Sequence, residues 1–197
     1  MSTIYSKKIQ YAIKFSIKTH EVYQKQKRKG KDIPYITHPL TVGLILARVG
    51  ASDDVVAAGI LHDTIEDSPA EKKVSREMLA ERFGETVADL VVSVSEMQKD
   101  LSWDERKQEA LDHVQTFSND SLLLKSADVL SNTRETIDDH ARYGEEVFER
   151  FSAPKEKVLG HYIHMIEAIV TKWPENPLAD DLTDAAQSLG EIVKASQ

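Results

Sequence analysis

Residues 60–68 read ILHDTIEDS. One imidazole and three carboxylates, those of His62, Asp63, Glu66 and Asp67, follow the apolar pair Ile60 and Leu61. Burying carboxylates costs free energy unless they are paired or bind a cation. At about 100° per residue, a helix through this stretch puts all four polar groups within an arc of roughly 140° and leaves Leu61 and Ile65 outside it. The plainer alternative for this segment alone is an acidic helix end facing solvent. Two other segments add residues of the same chemical kind. PYITHPL holds His38 at a loop-to-helix boundary between prolines, where a rigid turn fixes the imidazole. LLLKSADVLSNTRE presents Asp128 after an apolar run, with Asn132 one turn later on the same side. An Asp in that place takes either a salt bridge or a metal ion. His38, His62, Asp63 and Asp128 together form a borderline-hard ligand set, suited to Mn, Fe or Zn rather than Ca. Such a cation would offset the clustered negative charge and lower the pKa of a bound water to about 7. Glu66 and Asp67 would then serve as general acid and base beside it.

A second cluster has the opposite sign. KQKRKGK, residues 25–31, holds Lys25, Lys27, Arg28, Lys29 and Lys31 in a chain whose formal charge is −8. It is either a solvated basic loop or a site for a polyanionic small molecule, where local potential outweighs net charge. The overall acidity argues against a nucleic-acid or membrane-surface binder. The chain has no cysteine, which excludes disulfides and thiolate metal sites and suits a reducing cytoplasm. No N-terminal signal segment is read, and no apolar run approaches the roughly 18 residues that span a membrane.

The elements that must position these residues are helical by pattern. Ile4, Ile9, Ala12, Ile13, Ile17 and Val22 mark one face of a first helix reaching about residue 24. Gly30, Pro34 and Pro39 break the chain, and Pro39 suits the first turn of a second helix ended by Gly50. Asp53 is the expected cap of a third, DVVAAGILHDTIED, stopped at Ser68-Pro69. SREMLAERFG is a short helix closed by Gly84. ETVADLVVSVSEMQ, though rich in Val, is read as helix from the spacing of Val87, Leu90, Val91 and Val94. Ser102 and Glu105 form a capping box, and Asn119 is the expected cap of the helix carrying Asp128. Two further helices, near 143–173 and 178–194, flank WPENP, with Asn176 as cap and Pro177 in the first turn. The expectation is one all-α domain over 1–197, about seven to nine helices, with its core in about 5–170 and a C-terminal helix at about 178–194.

The order His…His-Asp…Asp resembles the metal signature of the HD phosphohydrolase superfamily. RKGKDIPYITHPL, ILHDTIEDS, FGETVADLVVSVSE and LKSADVLSNTRE follow the order and spacing of the RelA/SpoT hydrolase domain over roughly residues 5–170. The chain is similar to the stand-alone small alarmone hydrolases, the type to which the metazoan SpoT homologue belongs. That resemblance implies hydrolysis of the 3′-pyrophosphate of (p)ppGpp, giving GDP or GTP and pyrophosphate, usually with Mn2+. It implies His38, His62, Asp63 and Asp128 as metal ligands and Glu66 and Asp67 as the pair acting on water. Arg28, chosen over the adjacent Lys29, would lie against the base, and Asn132 would contact the nucleotide. Lys157, His161 and Tyr162 would form a far wall, while His164 is expected to be surface or packing. Ser126 stands where the family has Leu and Val129 where it has a basic residue, so the pocket wall is expected to differ. The synthetase, TGS and ACT domains of the long relatives are not matched. Competing readings are the same chemistry on (p)ppApp or NADPH, or a nucleotide sensor without catalysis.

Overall fold

The structure is a computed structural model that describes residues 4–96, 98 and 100–195. The described residues hold nine helices of eight residues or more and one single helical turn, with no β-strand. They divide into two compact units, residues up to 97 and residues from 98 onward, which are taken in turn.

In the first unit, Ser6 caps α1 (Lys7–Ile17) by accepting from the Ile9 N–H. The helix continues as a wider, π-type turn, Lys18–Tyr23, so the expected length holds while its pitch changes. That change alters which face is buried. Ala12, Ser16, Thr19 and His20 point inward, whereas Ile4, Ile17 and Val22 of the expected apolar face are exposed. Ile4 precedes the helix, and small side chains at 12 and 16 suit the contact of α1 with α3. α2 (Thr37–Arg48) opens behind Pro34, whose carbonyl accepts from the Thr37 hydroxyl at 2.8 Å. Pro39 lies in its first turn, as expected.

α3 (Asp53–Leu61) is capped by Ser52, whose hydroxyl accepts from the Val55 N–H; the expected cap, Asp53, is the first helical residue. The helix does not run on through residue 67. His62 Nδ1 takes the Gly59 carbonyl at 2.7 Å and the Thr64 hydroxyl takes the Leu61 carbonyl at 2.7 Å. These are the carbonyls that the amides of Asp63 and Ile65 would use in a continuing helix, so the side chains displace the ladder. Asp63 sits in the break at φ −90° and ψ −4°, and a single turn, α4 (Thr64–Asp67), follows. The regular 100° spacing assumed for the four polar residues therefore does not apply.

α5 (Arg76–Phe83) and α6 (Glu85–Val94) are joined at Gly84, whose φ of 97° suits glycine. α6 is a helix as read, ending at Val94; Met97, within the expected segment, lies outside the described residues. α2 and α3 approach closely at two glycines. A Cβ on Gly59 would lie 2.4 Å from Leu46 Cδ1 and 3.2 Å from Val42 Cγ1, and one on Gly43 2.5 Å from Ile60 Cγ1. Since His38 lies in the first turn of α2 and His62 is the C-cap of α3, this contact sets the spacing of the two imidazoles. Gly59→Val is expected to destabilise by about 1–3 kcal/mol through overpacking. That lowers the melting temperature by roughly 2–12 °C at this chain length. Gly160→Ala, where a Cβ meets nothing within 4 Å, is the calorimetric control and should hold or raise it.

In the second unit, Ser102 and Glu105 make the expected capping box on α7 (Trp103–Val114). α8 (Asn119–Tyr143) is capped by Ser118 rather than Asn119, through the Ser121 N–H. It carries Asp128 near its middle. The helix expected to begin near 143 does not. Gly144 (φ 66°) ends α8, a 3-10 stretch covers Gly144–Arg150, and α9 (Lys155–Lys172) starts behind Pro154. The buried Asp139 and Arg150 pair at 2.7 Å across that turn. Asn176 Oδ1 accepts from the Leu178 N–H at 2.9 Å in the turn that precedes α10 (Ala179–Lys194); the helix begins behind Leu178, so the expected cap Asn176 and Pro177 lie in that turn and not at the first positions of the helix. Phe148, Leu159, Leu189 and Ile192 form the buried cluster against which Ile137, Phe151 and Tyr162 pack.

Candidate metal centre

Three of the four expected ligands lie in the first unit, and two of them meet the third. His62 Nε2 stands 3.1 Å and His38 Nε2 3.8 Å from Asp63 Oδ2, with the two rings 5.1 Å apart and both buried. The Tyr35 hydroxyl donates to the same carboxylate oxygen at 2.5 Å. Burial pushes the Tyr35 phenol well above its ordinary range, with the Asp63 and Asp67 charges adding to the effect and Arg28 opposing it. Tyr35 therefore remains a proton donor to Asp63 at neutral pH.

The donor set fits a cation. A carbonyl only accepts, so His62 Nδ1 carries the hydrogen given to Gly59. With the ring neutral, the lone pair of Nε2 faces an anionic oxygen 3.1 Å away. Two electron-rich atoms at that distance repel unless a proton or a metal ion lies with them. A ligating imidazole whose second nitrogen donates to a backbone carbonyl is the usual outer-shell arrangement of metal sites. His38, His62 and Asp63 could thus hold a divalent ion.

Glu66 and Asp67 follow on α4, both partly buried. Glu66 Oε1 accepts from the Glu96 N–H at 2.6 Å, and Asp67 Oδ2 accepts from Gln26 Nε2 at 2.9 Å. The basic segment is folded back on itself: Arg28 N–H donates to the Ile33 carbonyl at 2.8 Å, and Lys27 and Pro34 form an isolated bridge. The Arg28 guanidinium lies 5.5 Å from the centre of the Tyr35 ring, so the cation, the phenol and Asp63 stand in series. Lys29 is exposed. His20, Gln26 and Tyr35 were not singled out from sequence. Tyr35 was legible as the aromatic of PYITHP, but His20 and Gln26 carry no signal short of the folded loop.

In the second unit, Asp128 is 8% exposed and both its oxygens are engaged, Oδ2 by Lys125 at 2.9 Å and Oδ1 by Asn132 Nδ2 at 2.8 Å. The salt bridge weighed for this residue is therefore present. Lys157 holds both carboxylate oxygens of Asp104 at 2.9 and 2.6 Å, and His161 meets Trp103 edge-on at 6.0 Å. His164 is exposed, as expected. Ser126 is buried, donating to the Leu122 carbonyl at 2.6 Å and accepting from Asn176 Nδ2 at 2.8 Å. Its hydroxyl anchors the start of α10, which a leucine could not do, and Val129 is also buried.

The His62-Asp63 pair at a helix end, with His38 within reach of it, is the His-Asp arrangement expected from the sequence. Residues 12–156 match the HD domain family, and the chain belongs to it. It is 36% identical over 132 residues, 66% of this chain and 18% of the relative, to the guanosine-3′,5′-bis(diphosphate) 3′-pyrophosphohydrolase of Aquifex aeolicus. It is 36% identical over 118 residues to the enzyme of the same name, MESH1, of Danio rerio, covering 58% of this chain and 63% of the relative. The chain thus spans less than two thirds of the length of these relatives. Among solved structures, a Listeria monocytogenes protein matches with a TM-score of 0.70 at 30% identity over 80% of this chain and 99% of the other. A metazoan orthologue of SpoT, described as hydrolysing ppGpp, has the same fold, with a TM-score of 0.73 at 23% identity over 99% of this chain and 98% of the other. Among the described residues no helix is long and apolar enough to cross a membrane.

Proposed function

We propose that this chain, as a single HD-type functional domain, hydrolyses the 3′-pyrophosphate of (p)ppGpp to GDP or GTP and pyrophosphate with a divalent ion, Mn2+ first, Fe or Zn otherwise. The observation that carries this reading is the convergence of His38, His62 and Tyr35 on Asp63, with Glu66 and Asp67 on the next turn. The names of the relatives supply the substrate class. The proposed ligands are His38, His62, Asp63 and Asp128. Asp128 would serve with a lone pair left beside those that accept from Lys125 and Asn132. A bound divalent ion would supply Lewis acidity and offset the local negative charge.

The chain's own residues do the rest. The oxygen of water bonds to the phosphorus attached to O3′ while the P–O3′ bond breaks. One carboxylate of the Glu66–Asp67 pair takes the proton from water, and a proton is delivered to O3′ as pyrophosphate leaves. The Glu96 amide and Gln26 fix the two carboxylates in direction. Tyr35, donating to Asp63, keeps that carboxylate oriented. Arg28 stacks on the base, and Lys29, Asn132, Lys157 and His161 contact phosphate and sugar, Lys157 by exchanging Asp104 for phosphate. The cysteine-free chain suits a reducing cytoplasm, and no nucleic-acid or membrane partner is proposed.

Arg28→Ala is expected to raise KM more than it lowers kcat, because stacking and charge attraction act largely in the ground state. Steady-state kinetics on ppGpp at two ionic strengths checks this, the contribution of neighbouring lysines shrinking with salt. An unchanged KM would return the loop to a solvated role. Parallel assays with (p)ppApp and NADPH decide the base and nucleotide class.

A further inference from the structure

Resting on that reading, we propose that Gln26 is a positioning residue for Asp67, its carboxamide held in one orientation by the buried imidazole of His20. Gln26 Nε2 donates to Asp67 Oδ2 at 2.9 Å, and Gln26 Oε1 lies 3.0 Å from His20 Nδ1. A carboxylate only accepts, so it selects the amide nitrogen. The amide oxygen, also only an acceptor, is then left facing His20, so Nδ1 carries the hydrogen there. The polarity of the series His20–Gln26–Asp67 is therefore set from end to end.

The backbone of Gln26 is held as well. Its N–H donates to the His20 carbonyl at 2.9 Å and its carbonyl accepts from the Tyr35 N–H at 2.9 Å. Lys25, at φ 52°, makes the reversal that returns the chain to His20 after the π-type turn. Positive φ at a residue other than glycine is uncommon and costs free energy. His20 is 0% exposed, and its Nε2 has no hydrogen-bond partner among the described residues. A polar ring kept in the interior at that cost needs a reason, and orienting Gln26 supplies one. The strained turn, the buried imidazole and the clamped amide all converge on the direction of one carboxylate. The same segment continues two residues on into Arg28, so the residue proposed to meet the base and the one holding Asp67 belong to one short piece of chain.

The test combines rates with a charge swap in the full-length protein, loaded with Mn2+ and assayed on ppGpp. Gln26→Met keeps length and removes both donor and acceptor. It should lower kcat by roughly tenfold to a hundredfold, the range for outer-shell partners, with KM within about twofold and metal content unchanged. In the Asp67→Asn background the same substitution should cost less than about twofold, because its effect passes through Asp67. Gln26→Glu sets two carboxylates face to face and should lower the melting temperature by several degrees. Gln26→Glu with Asp67→Asn restores a donor and an acceptor in reversed order and should recover it. That thermal readout decides the pairing even if Gln26→Met folds poorly. Equal losses in both backgrounds, or no thermal recovery in the swap, would overturn the role of Gln26 alone. A near wild-type rate for Asp67→Asn would overturn the catalytic reading and this proposal with it.

Discussion

Glu66→Gln and Asp67→Asn should each retain metal, bind nucleotide about as tightly as wild type, and lose at least about a hundredfold in kcat. Loss of one general acid or base typically costs about 10²–10⁴-fold. The structure makes these substitutions clean. Glu66 accepts from the Glu96 N–H and Asp67 from the Gln26 amide, and the carbonyl oxygen of Gln or Asn can accept in the same places. Position is kept while the proton-accepting charge is removed. Elemental analysis, calorimetry with substrate and product chromatography separate the three quantities. Near wild-type turnover in both variants would leave the acidic turn with no catalytic role.

The metal has the second large effect. Purified protein should carry about one Mn, Fe or Zn per chain. Chelation should abolish turnover and lower the melting temperature, since an ion bound only to the native state stabilises it by mass action. Asp128→Ala should lose the ion and destabilise the second unit, where Lys125 and Asn132 would lose their shared buried acceptor. Full occupancy in that variant would remove Asp128 from the ligand set and leave it as the partner of Lys125.

Helix type and order were legible because apolar spacing and the breakers Gly50, Gly84 and Pro177 act locally. Local reasoning failed where two local interactions compete. Ser52 and Ser118 cap α3 and α8 one residue before the expected Asp53 and Asn119, since any short polar side chain can take the role. The run from Asp53 to Asp67 reads as one helix, yet the His62 and Thr64 side chains take its carbonyls and break it. That break also decides the direction of Asp63, so the residue types of the candidate site were legible and their geometry was not. His20 and Gln26 stayed hidden because their roles depend on a π-type turn and a reversal at Lys25. The departure at Ser126 acquires a reason only through Asn176, fifty residues away.

The most direct measurement is the identity of the phosphorus products when the Mn2+-loaded protein meets ppGpp. The account predicts GDP and pyrophosphate in equal amounts, suppressed by chelation and restored by Mn2+. Release of orthophosphate in place of pyrophosphate, or binding of ppGpp with no product at all in the metal-loaded protein, would contradict it.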